Sequence, residues 1–342
     1  MKFDYAIGNP PYNDEQGTGN QKNFAAPVYN KFLDAAYEIS DKVELIHPAR
    51  FLFDAGATPK EWNQKMLRDP HLKVLFHEQD SSKVFANTSI KGGVAITYRD
   101  ATRNFGAIET YTAYPELNTI LKKVSSRNDF NSFGEIIANR GLYRFSKKAY
   151  AECPQEMEKI TDSRVGASSF ERMPTLFTVD KPNDGKSYAQ FFGLLKGKRE
   201  YRWFRIDYFN KVESFEHYKV LLPAANGSGA LGETLSTPII GHPFIGHTET
   251  FLSIGNFIVE SDAKACMNYI KSKFCRALLG VLKITQHNSA DKWKYVPLQD
   301  FTSNSDINWS ASIHDIDQQL YKKYGLSQQE IDFIESHVKE MA

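Results

Sequence analysis

The sequence predicts an α/β protein in two parts, a partial open sheet over residues 1–118 and an α+β domain over residues 119–342. Short apolar segments alternate with segments of helical periodicity up to about residue 115, the order typical of a mostly parallel sheet. The first apolar segment runs directly into Asn9-Pro10-Pro11-Tyr12, and open sheets usually bind ligands where their strands end. Beyond residue 115 the alternation fades, which indicates a second domain.

Each element of the first part has its own local signal. Residues 13–25, polar and rich in Gly and Asn, predict a mobile loop beside the first strand end. Proline in the first turn supports the first helix. The predicted strands cover residues 3–8, 43–48 and 73–77, and a loop that feeds a fourth strand covers residues 84–98. The predicted helices cover residues 27–37 and 59–68.

The four residues Asn9-Pro10-Pro11-Tyr12 predict a rigid loop that presents hydrogen-bond acceptors. Each proline fixes its own φ and holds the preceding residue extended, and neither has an N–H. The Asn9 amide oxygen and the Pro10 carbonyl can therefore accept both hydrogens of an aromatic amine, while the Tyr12 ring stacks on its base. An ordinary proline-rich turn is the alternative interpretation.

This stretch, with its lead-in over residues 2–8, resembles the N6-adenine DNA methyltransferases of restriction-modification systems (Eco57I-like, type II methylases). The resemblance implies a Rossmann-like methyltransferase sheet with Asn9, Pro10, Pro11 and Tyr12 as catalytic-loop residues. It also implies that Phe85 is a second aromatic against an extruded base, although Ala86 follows where the family usually has proline. An ordinary core position is the alternative for Phe85. Protein glutamine methyltransferases share the four residues, so the substrate class stays open.

The resemblance implies S-adenosylmethionine as the cofactor, although no cofactor-binding residue can be named. In this family the glycine-rich cofactor turn lies upstream of the motif, so we expect most of that site to be missing and this chain to be inactive alone. A partner chain carrying the N-terminal methyltransferase half, or a restriction subunit, would then complete the enzyme. The alternative is a permuted, complete enzyme that uses the GxGxxG at residues 227–232. Ser236-Thr237-Pro238 would break the helix that such glycines need.

The second domain is expected to recognise double-stranded DNA, as the target-recognition domains of the resembled family do. Basic and aromatic residues interleave over residues 196–205, where cations can meet phosphates and rings can meet bases. A solvated amphipathic strand is the alternative there. A single helix is predicted over residues 262–283, with an apolar stripe and a basic face. The candidate DNA-binding residues are Lys196, Lys198, Arg199, Arg202, Arg205, Lys292 and Lys294.

Composition narrows the classes of function. The net charge of +1 means that DNA binding must come from a local basic face. The three cysteines and nine histidines have no metal-ligand or redox spacing, so we expect no metal site. No apolar run is long enough for a membrane span, which indicates a cytoplasmic protein. The predicted function is therefore adenine N6-methylation of DNA, and the alternative is a DNA-binding specificity module without chemistry.

Overall fold

A computed structural model describes residues 3–14, 26–54, 57–88, 90, 92–227, 229–283 and 286–341. Contacts within the chain divide it into two compact units, one up to Asn118 and one from Thr119 onward. Each unit is described by itself below.

The first unit confirms the alternation of strands and helices that the sequence predicts. Helices and strands begin or end within three residues of the predicted bounds. Its elements are β1 (Ala6–Gly8), α1 (Tyr29–Ile39), β2 (Lys42–Pro48), α2 (Lys60–Arg68), β3 (Leu72–Glu78), β4 (Val94–Asp100) and α3 (Pro115–Ser125), the last of which continues past the boundary.

These four strands form one sheet in the order β1-β2-β4-β3. β1 and β2 pair in parallel, whereas β4 is antiparallel to both β2 and β3. Three strands therefore run the same way, and the fourth departs from the parallel arrangement expected from the alternation. Its direction follows from its connection: no described residue between β3 and β4 forms a crossover α-helix, and an antiparallel neighbour needs none.

The core of the first unit lies on one face of this sheet. Helices α1 and α2 bury their apolar stripes there: Leu33 and Met66 are almost completely buried and belong to the same core cluster as Val43 of β2. Residues outside this core are less covered: Ile7 on the edge strand β1 is 74% exposed, and Phe76 on β3 is 43% exposed. The edge strand thus brings its C-terminal end, where the Asn9-Pro10-Pro11-Tyr12 segment begins, to an open surface.

The second unit is mixed α and β, as predicted, with two three-stranded sheets. One has the order β6-β5-β9 and the other β10-β7-β8. Its strands are β5 (Tyr188–Leu195), β6 (Lys198–Arg205), β7 (Tyr218–Pro223), β8 (Ile239–Gly241), β9 (Ile245–His247) and β10 (Phe251–Phe257). Its further helices are α4 (Lys147–Glu152), α5 (Pro154–Met157), α6 (Ser169–Arg172), α7 (Glu260–Lys271), α8 (Lys273–Leu279), α9 (Ile313–Lys323) and α10 (Gln328–His337).

Aromatic rings dominate the core beneath β5 and β6. Phe177 and Phe204 stack with ring centroids 4.3 Å apart, and Phe191 meets Phe204 and Tyr143 edge to face. All four are at most 1% exposed. Edge-to-face and offset packing of this kind stabilises a core beyond its buried area, by about 0.5–1.5 kcal/mol per pair.

The prediction of a single helix over residues 262–283 is wrong, because the structure has two helices that meet at Ser272. The Ser272 backbone is extended, and its hydroxyl accepts a hydrogen bond from the Cys275 N–H at the start of α8. Serine competes with the helical backbone in this way and favours caps over helix interiors.

The basic face predicted for that helix includes Arg276, which the structure instead buries to 2% exposure. Its guanidinium donates to the carbonyls of Lys271 at 3.1 Å, Glu233 at 3.4 Å and Lys339 at 2.6 Å. It joins three segments of the second unit and offers no surface charge.

The structure has a glycine at the end of α9 and a capping box at the start of α10, two sequence signals for helix ends. Gly325 has φ +60° after α9, and Ser327 with Glu330 forms a capping box at α10. Within the described ranges, no helix is both long and apolar enough to cross a membrane.

Candidate functional site

The segment at the end of β1, residues 9–12, is here called the site loop. Gly8 still pairs with Leu45 of β2, and the chain then leaves the sheet with Asn9 and Pro11 exposed. Among the described residues, the Asn9 amide makes no hydrogen bond. Its acceptor is therefore open to a ligand, because the prolines around it also supply no N–H that could fold back on it.

The last residue of the site loop fixes its position against α1. The Tyr12 carbonyl accepts hydrogen bonds from the backbone N–H groups of Val28 at 3.0 Å and Tyr29 at 3.4 Å. Those N–H groups belong to the start of a helix, where the first donors have no partner within the helix. Two residues on, the Asp14 N–H donates to the Ala26 carbonyl at 2.8 Å. The mobile loop predicted over residues 13–25 lies, from residue 15 onward, outside the described residues.

The structure brings Tyr12 and Phe85 together although they are far apart in sequence. Their ring centroids are 6.5 Å apart with an interplanar angle of 61°, an edge-to-face arrangement, and both side chains are half-buried. Their roles in stacking remain predictions. The geometry shows only that two rings meet beside Asn9's loop, as base stacking would require.

Phe85 is held by a short hydrogen-bonded loop between β3 and β4. Its N–H donates to the Ser81 carbonyl at 2.9 Å, and its carbonyl accepts from the Thr88 hydroxyl at 2.8 Å. The buried Ser81 hydroxyl accepts from the Ile90 N–H at 2.8 Å. The loop then returns to the sheet at Gly93, where a Cβ would lie 2.0 Å from the Glu78 carbonyl. This loop places Phe85 by backbone contacts that a motif cannot show.

A buried layer under the site loop went unrecognised in the sequence. His47 is fully buried, and its ring stacks on Tyr29 with centroids 5.8 Å apart. Its Nδ1 lies 3.1 Å from the Pro48 carbonyl, which can only accept, so Nε2 accepts from the Thr97 hydroxyl at 2.8 Å. Burial lowers the pKa of His47 to about 4. The alternation of β2, which puts His47 on the face of Val43 and Leu45, is the signal that could have found it.

The Tyr12 hydroxyl is a buried polar atom with no hydrogen-bond partner among the described residues. Burial also raises the pKa of Tyr12, so the phenol stays neutral. An unpaired buried hydroxyl costs free energy, typically about 1–3 kcal/mol. Tyr12 is therefore held by its ring and its carbonyl and not by its hydroxyl.

A groove of about 460 Å³ opens beside the site loop, within the size range of small-molecule sites. It runs between the loop and the first turns of α1. Its lining residues are Pro11, Asn13, Asp14, Val28, Lys31, Phe32 and Ala35.

The glycine loop, residues 226–233, follows β7 but does not enter a helix. Between β7 and β8 the described residues contain no α-helix, and the two strands pair antiparallel. The Gly229 N–H donates to the Glu233 carboxylate at 2.9 Å, and a Cβ on Gly227 would lie 2.2 Å from that carboxylate. The nearly buried Lys283 ammonium also pairs with Glu233. Gly227 and Gly229 thus lie against a carboxylate of their own chain, and the strand–loop–helix arrangement of a dinucleotide-type glycine turn is not found among the described residues there.

The predicted DNA-binding residues fall into different environments. Arg202 pairs with Glu200 at 3.0 Å, and Arg205 pairs with Glu152 and Asp207 while its side chain is only 12% exposed. Lys292 pairs with Asp291 at 2.8 Å, and Lys294 lies over the Tyr295 ring. Lys196, Lys198 and Arg199 are exposed and lie within four residues of one another, and Lys294 is exposed as well.

No group of three or more His, Cys, Asp or Glu side chains in the described part of the chain is placed to hold a metal ion.

Comparison with known proteins matches residues 1–85 to the Eco57I restriction-modification methylase family. An uncharacterized adenine-specific methylase of Mycoplasma pneumoniae is 25% identical over 178 residues, which cover 50% of this chain and 40% of that protein. The matched stretch thus covers only part of the length of that relative.

Two solved structures align with most of the chain at low scores. The type IIG restriction endonuclease BpuSI aligns with 95% of this chain and 50% of its own, at 8% identity and a TM-score of 0.32. The type IIL restriction-modification enzyme MmeI in complex with DNA aligns with 97% of this chain and 56% of its own, at 9% identity and a TM-score of 0.35. The family match and the curated relative confirm the resemblance that the site loop indicated: this chain is similar to the adenine-specific methylases of restriction-modification systems.

Proposed function

We propose that this chain takes part in N6-methylation of adenine in duplex DNA within a restriction-modification system. The observation that carries the proposal is the site loop itself. It presents an open Asn9 amide at the end of an edge strand, with the Tyr12 and Phe85 rings meeting beside it.

The chemistry follows from the acceptors. The Asn9 side-chain oxygen and the Pro10 carbonyl each accept one hydrogen of the adenine amino group. Holding both hydrogens draws the nitrogen lone pair out of the ring and makes it nucleophilic. A base inside a duplex cannot reach this loop, so the adenine must leave the stack, and the Tyr12 ring then holds one face.

The methyl donor of this chemistry is S-adenosylmethionine, and the residues described here do not fit its usual glycine-turn site. In the glycine loop of the second unit the Gly229 N–H donates to the Glu233 carboxylate, and the next element along the chain is a strand. We therefore propose that the cofactor is bound by a part of the enzyme other than these residues, either in the same polypeptide or in a partner. The second unit then supplies DNA recognition.

The test is methyl transfer from labelled S-adenosylmethionine to DNA, RNA and protein, with this chain alone and with the polypeptide encoded next to it. The proposal expects N6-methyladenine in DNA only in the combined reaction, and its loss on Asn9→Ala. Methyl groups on RNA or protein would refute the DNA substrate. Site-specific DNA binding without transfer in any combination would support a specificity module. Transfer by this chain alone would instead favour the permuted arrangement.

A further inference from the structure

The strands β5 and β6 form a regular two-stranded ribbon, residues 188–205. Eight residue pairs run in register from Tyr188 opposite Arg205 to Leu195 opposite Lys198. The connection is the two residues Lys196 and Gly197, with φ of +48° and +78°. Two positive φ values are the mark of a type I′ turn, whose twist matches that of the flanking strands.

The end of this ribbon extends past the rest of its sheet. On the other side of β5, strand β9 pairs with residues 190–192, and no other described strand lies beside β5 at the three pairs nearest the turn. The four residues from Lys196 to Arg199 are all exposed, and a Cβ added to Gly197 would meet no atom within 4 Å. The turn residues Lys196 and Gly197 are therefore open to solvent, whereas the Arg199 guanidinium lies over the Phe251 ring of the same unit.

The ribbon is far more basic than the chain as a whole. It contains five Lys and Arg against one Asp or Glu, a net charge of +4, whereas the chain carries +1. Part of this charge is used internally, because Arg202 and Arg205 are in ion pairs with Glu200, Glu152 and Asp207. Arg199 donates to the Thr237 carbonyl at 2.8 Å. For Lys196 and Lys198, no ion pair or hydrogen bond of the ammonium group is found among the described residues.

We propose that the tip of this ribbon enters the major groove of duplex DNA, with Lys196 and Lys198 on the phosphates that flank it. This inference rests on the proposed function, since it takes DNA as the substrate. The major groove of B-DNA, about 12 Å wide, admits a two-stranded ribbon as it stands, whereas the minor groove, about 6 Å wide, takes one only when the DNA is deformed. Arg202 and Arg205, held in ion pairs within the unit, keep the ribbon rigid and do not contact DNA.

The turn offers a substitution that removes charge without harming the fold. Lys196→Asn makes the dipeptide Asn-Gly, the sequence that type I′ turns prefer, because asparagine tolerates positive φ. Lys198→Gln removes the second charge on the strand side. Lys186→Gln is the control: it removes one exposed lysine that precedes β5. The first residue of β5, Tyr188, is itself roughly 26 Å from Lys196 at about 3.3 Å per strand residue.

Binding of the full chain to a mixed-sequence duplex is measured by fluorescence anisotropy over a range of salt concentrations. Each lost phosphate contact lowers the slope of log affinity against log salt by about 0.9, so the double variant should lose about 2 from the slope. Lys186→Gln should leave the slope unchanged. An unchanged slope in the double variant, or tighter binding of the wild type to RNA or single-stranded DNA than to duplex, overturns the inference.

Dimethyl sulfate footprinting then identifies the groove. Guanine N7 lies in the major groove and adenine N3 lies in the minor groove, so saturating wild-type protein should protect guanine N7 within its footprint more strongly than adenine N3. Protection of adenine N3 without protection of guanine N7 places the tip outside the major groove and overturns the inference. The result is separable from the proposed function: ribbon-dependent DNA binding without methyl transfer would refute only the latter, and methyl transfer with tip-independent binding would refute only the former.

Discussion

Two loops in this chain follow strands and have sequences typical of ligand sites, yet the structure treats them differently. The site loop leaves β1 with an exposed Asn9 amide that makes no hydrogen bond among the described residues. In the glycine loop after β7, the Gly229 N–H donates to Glu233, which also pairs with the nearly buried Lys283. The site loop thus has an amide open to a ligand, whereas the glycine loop directs a backbone N–H at a carboxylate of the same chain.

The difference shows that a motif predicts a ligand site only if its polar groups remain without partners inside the folded chain. Glycines allow backbone N–H groups to converge on an anion, but the anion can be a side chain of the same protein. Prolines in the site loop remove the N–H groups that would otherwise fold back on its acceptors. The open loop is the one whose residues cannot satisfy each other.

The largest expected effect concerns the stability of the glycine loop. Glu233→Ala should lower the free energy of unfolding by about 3–5 kcal/mol, because it leaves the Lys283 ammonium, 3% exposed, without its carboxylate. Urea unfolding measures this, and the double variant Glu233→Ala with Lys283→Met should recover part of the loss. If the loop instead served a cofactor, Glu233→Ala would leave stability unchanged and alter S-adenosylmethionine binding.

The next effect is on catalysis and tests the site loop. In a reconstituted enzyme, Asn9→Ala should lower the rate of methyl transfer about 10²–10³-fold, as removal of one preorganised polar group from a reacting centre does. Binding of DNA should change little, since Asn9 serves the reacting amine. Single-turnover methylation and anisotropy separate the two quantities. A near-normal single-turnover rate would remove Asn9 from the catalytic residues.

A third effect is a pH dependence of the stability that His47, in the buried layer under the site loop, contributes. The folded pKa of His47 is about 4 and its ordinary value is 6.5, so the unfolded chain binds the proton more readily between these values. The contribution of His47 to the free energy of unfolding is therefore fully present above about pH 6.5. As the pH falls toward 4, about 3 kcal/mol of it is lost. His47→Gln should flatten the pH dependence of urea unfolding. His247, buried with a pKa of about 4 in the second unit, should keep its own dependence in that variant.

The smallest effects separate the ring of Tyr12 from its hydroxyl. Tyr12→Ala should weaken capture of a flipped base by about 1–3 kcal/mol, the value of stacking on one aromatic. Tyr12→Phe should keep that capture and raise the free energy of unfolding by about 1 kcal/mol, because it removes a buried hydroxyl without a partner among the described residues. Fluorescence of 2-aminopurine in the DNA reports capture. Loss of capture in Tyr12→Phe would give the hydroxyl a role in binding.

The elements of the first unit were predictable because their signals are local. The buried alternation of β2 and the periodicity of α1 do not depend on distant residues. Strand direction is different, since it depends on what fills the connection. The described segment between β3 and β4 has hydrogen bonds centred on Ser81 in place of a crossover helix. The composition of that segment does not predict that β4 runs antiparallel to β3.

The site was predictable in part for the same reason. Asn9 through Tyr12 are adjacent in sequence, and Phe85 could be placed at the same sheet edge by strand order. His47 and Tyr29 went unrecognised because each is an ordinary core residue until the fold stacks one on the other. Ion pairs were also invisible: Arg202 and Arg205 read as free cations in the sequence, and only the structure shows Glu200, Glu152 and Asp207 against them.

Arg276 has a consequence for how the second unit is made. Its buried guanidinium needs the carbonyl of Lys339, which is 63 residues further along the chain. A ribosome that has just released α8 therefore exposes a polypeptide in which this cation cannot yet be buried with its acceptors. We expect the second unit to complete its packing only after translation has passed residue 339, so nascent chains arrested before that point should remain sensitive to protease.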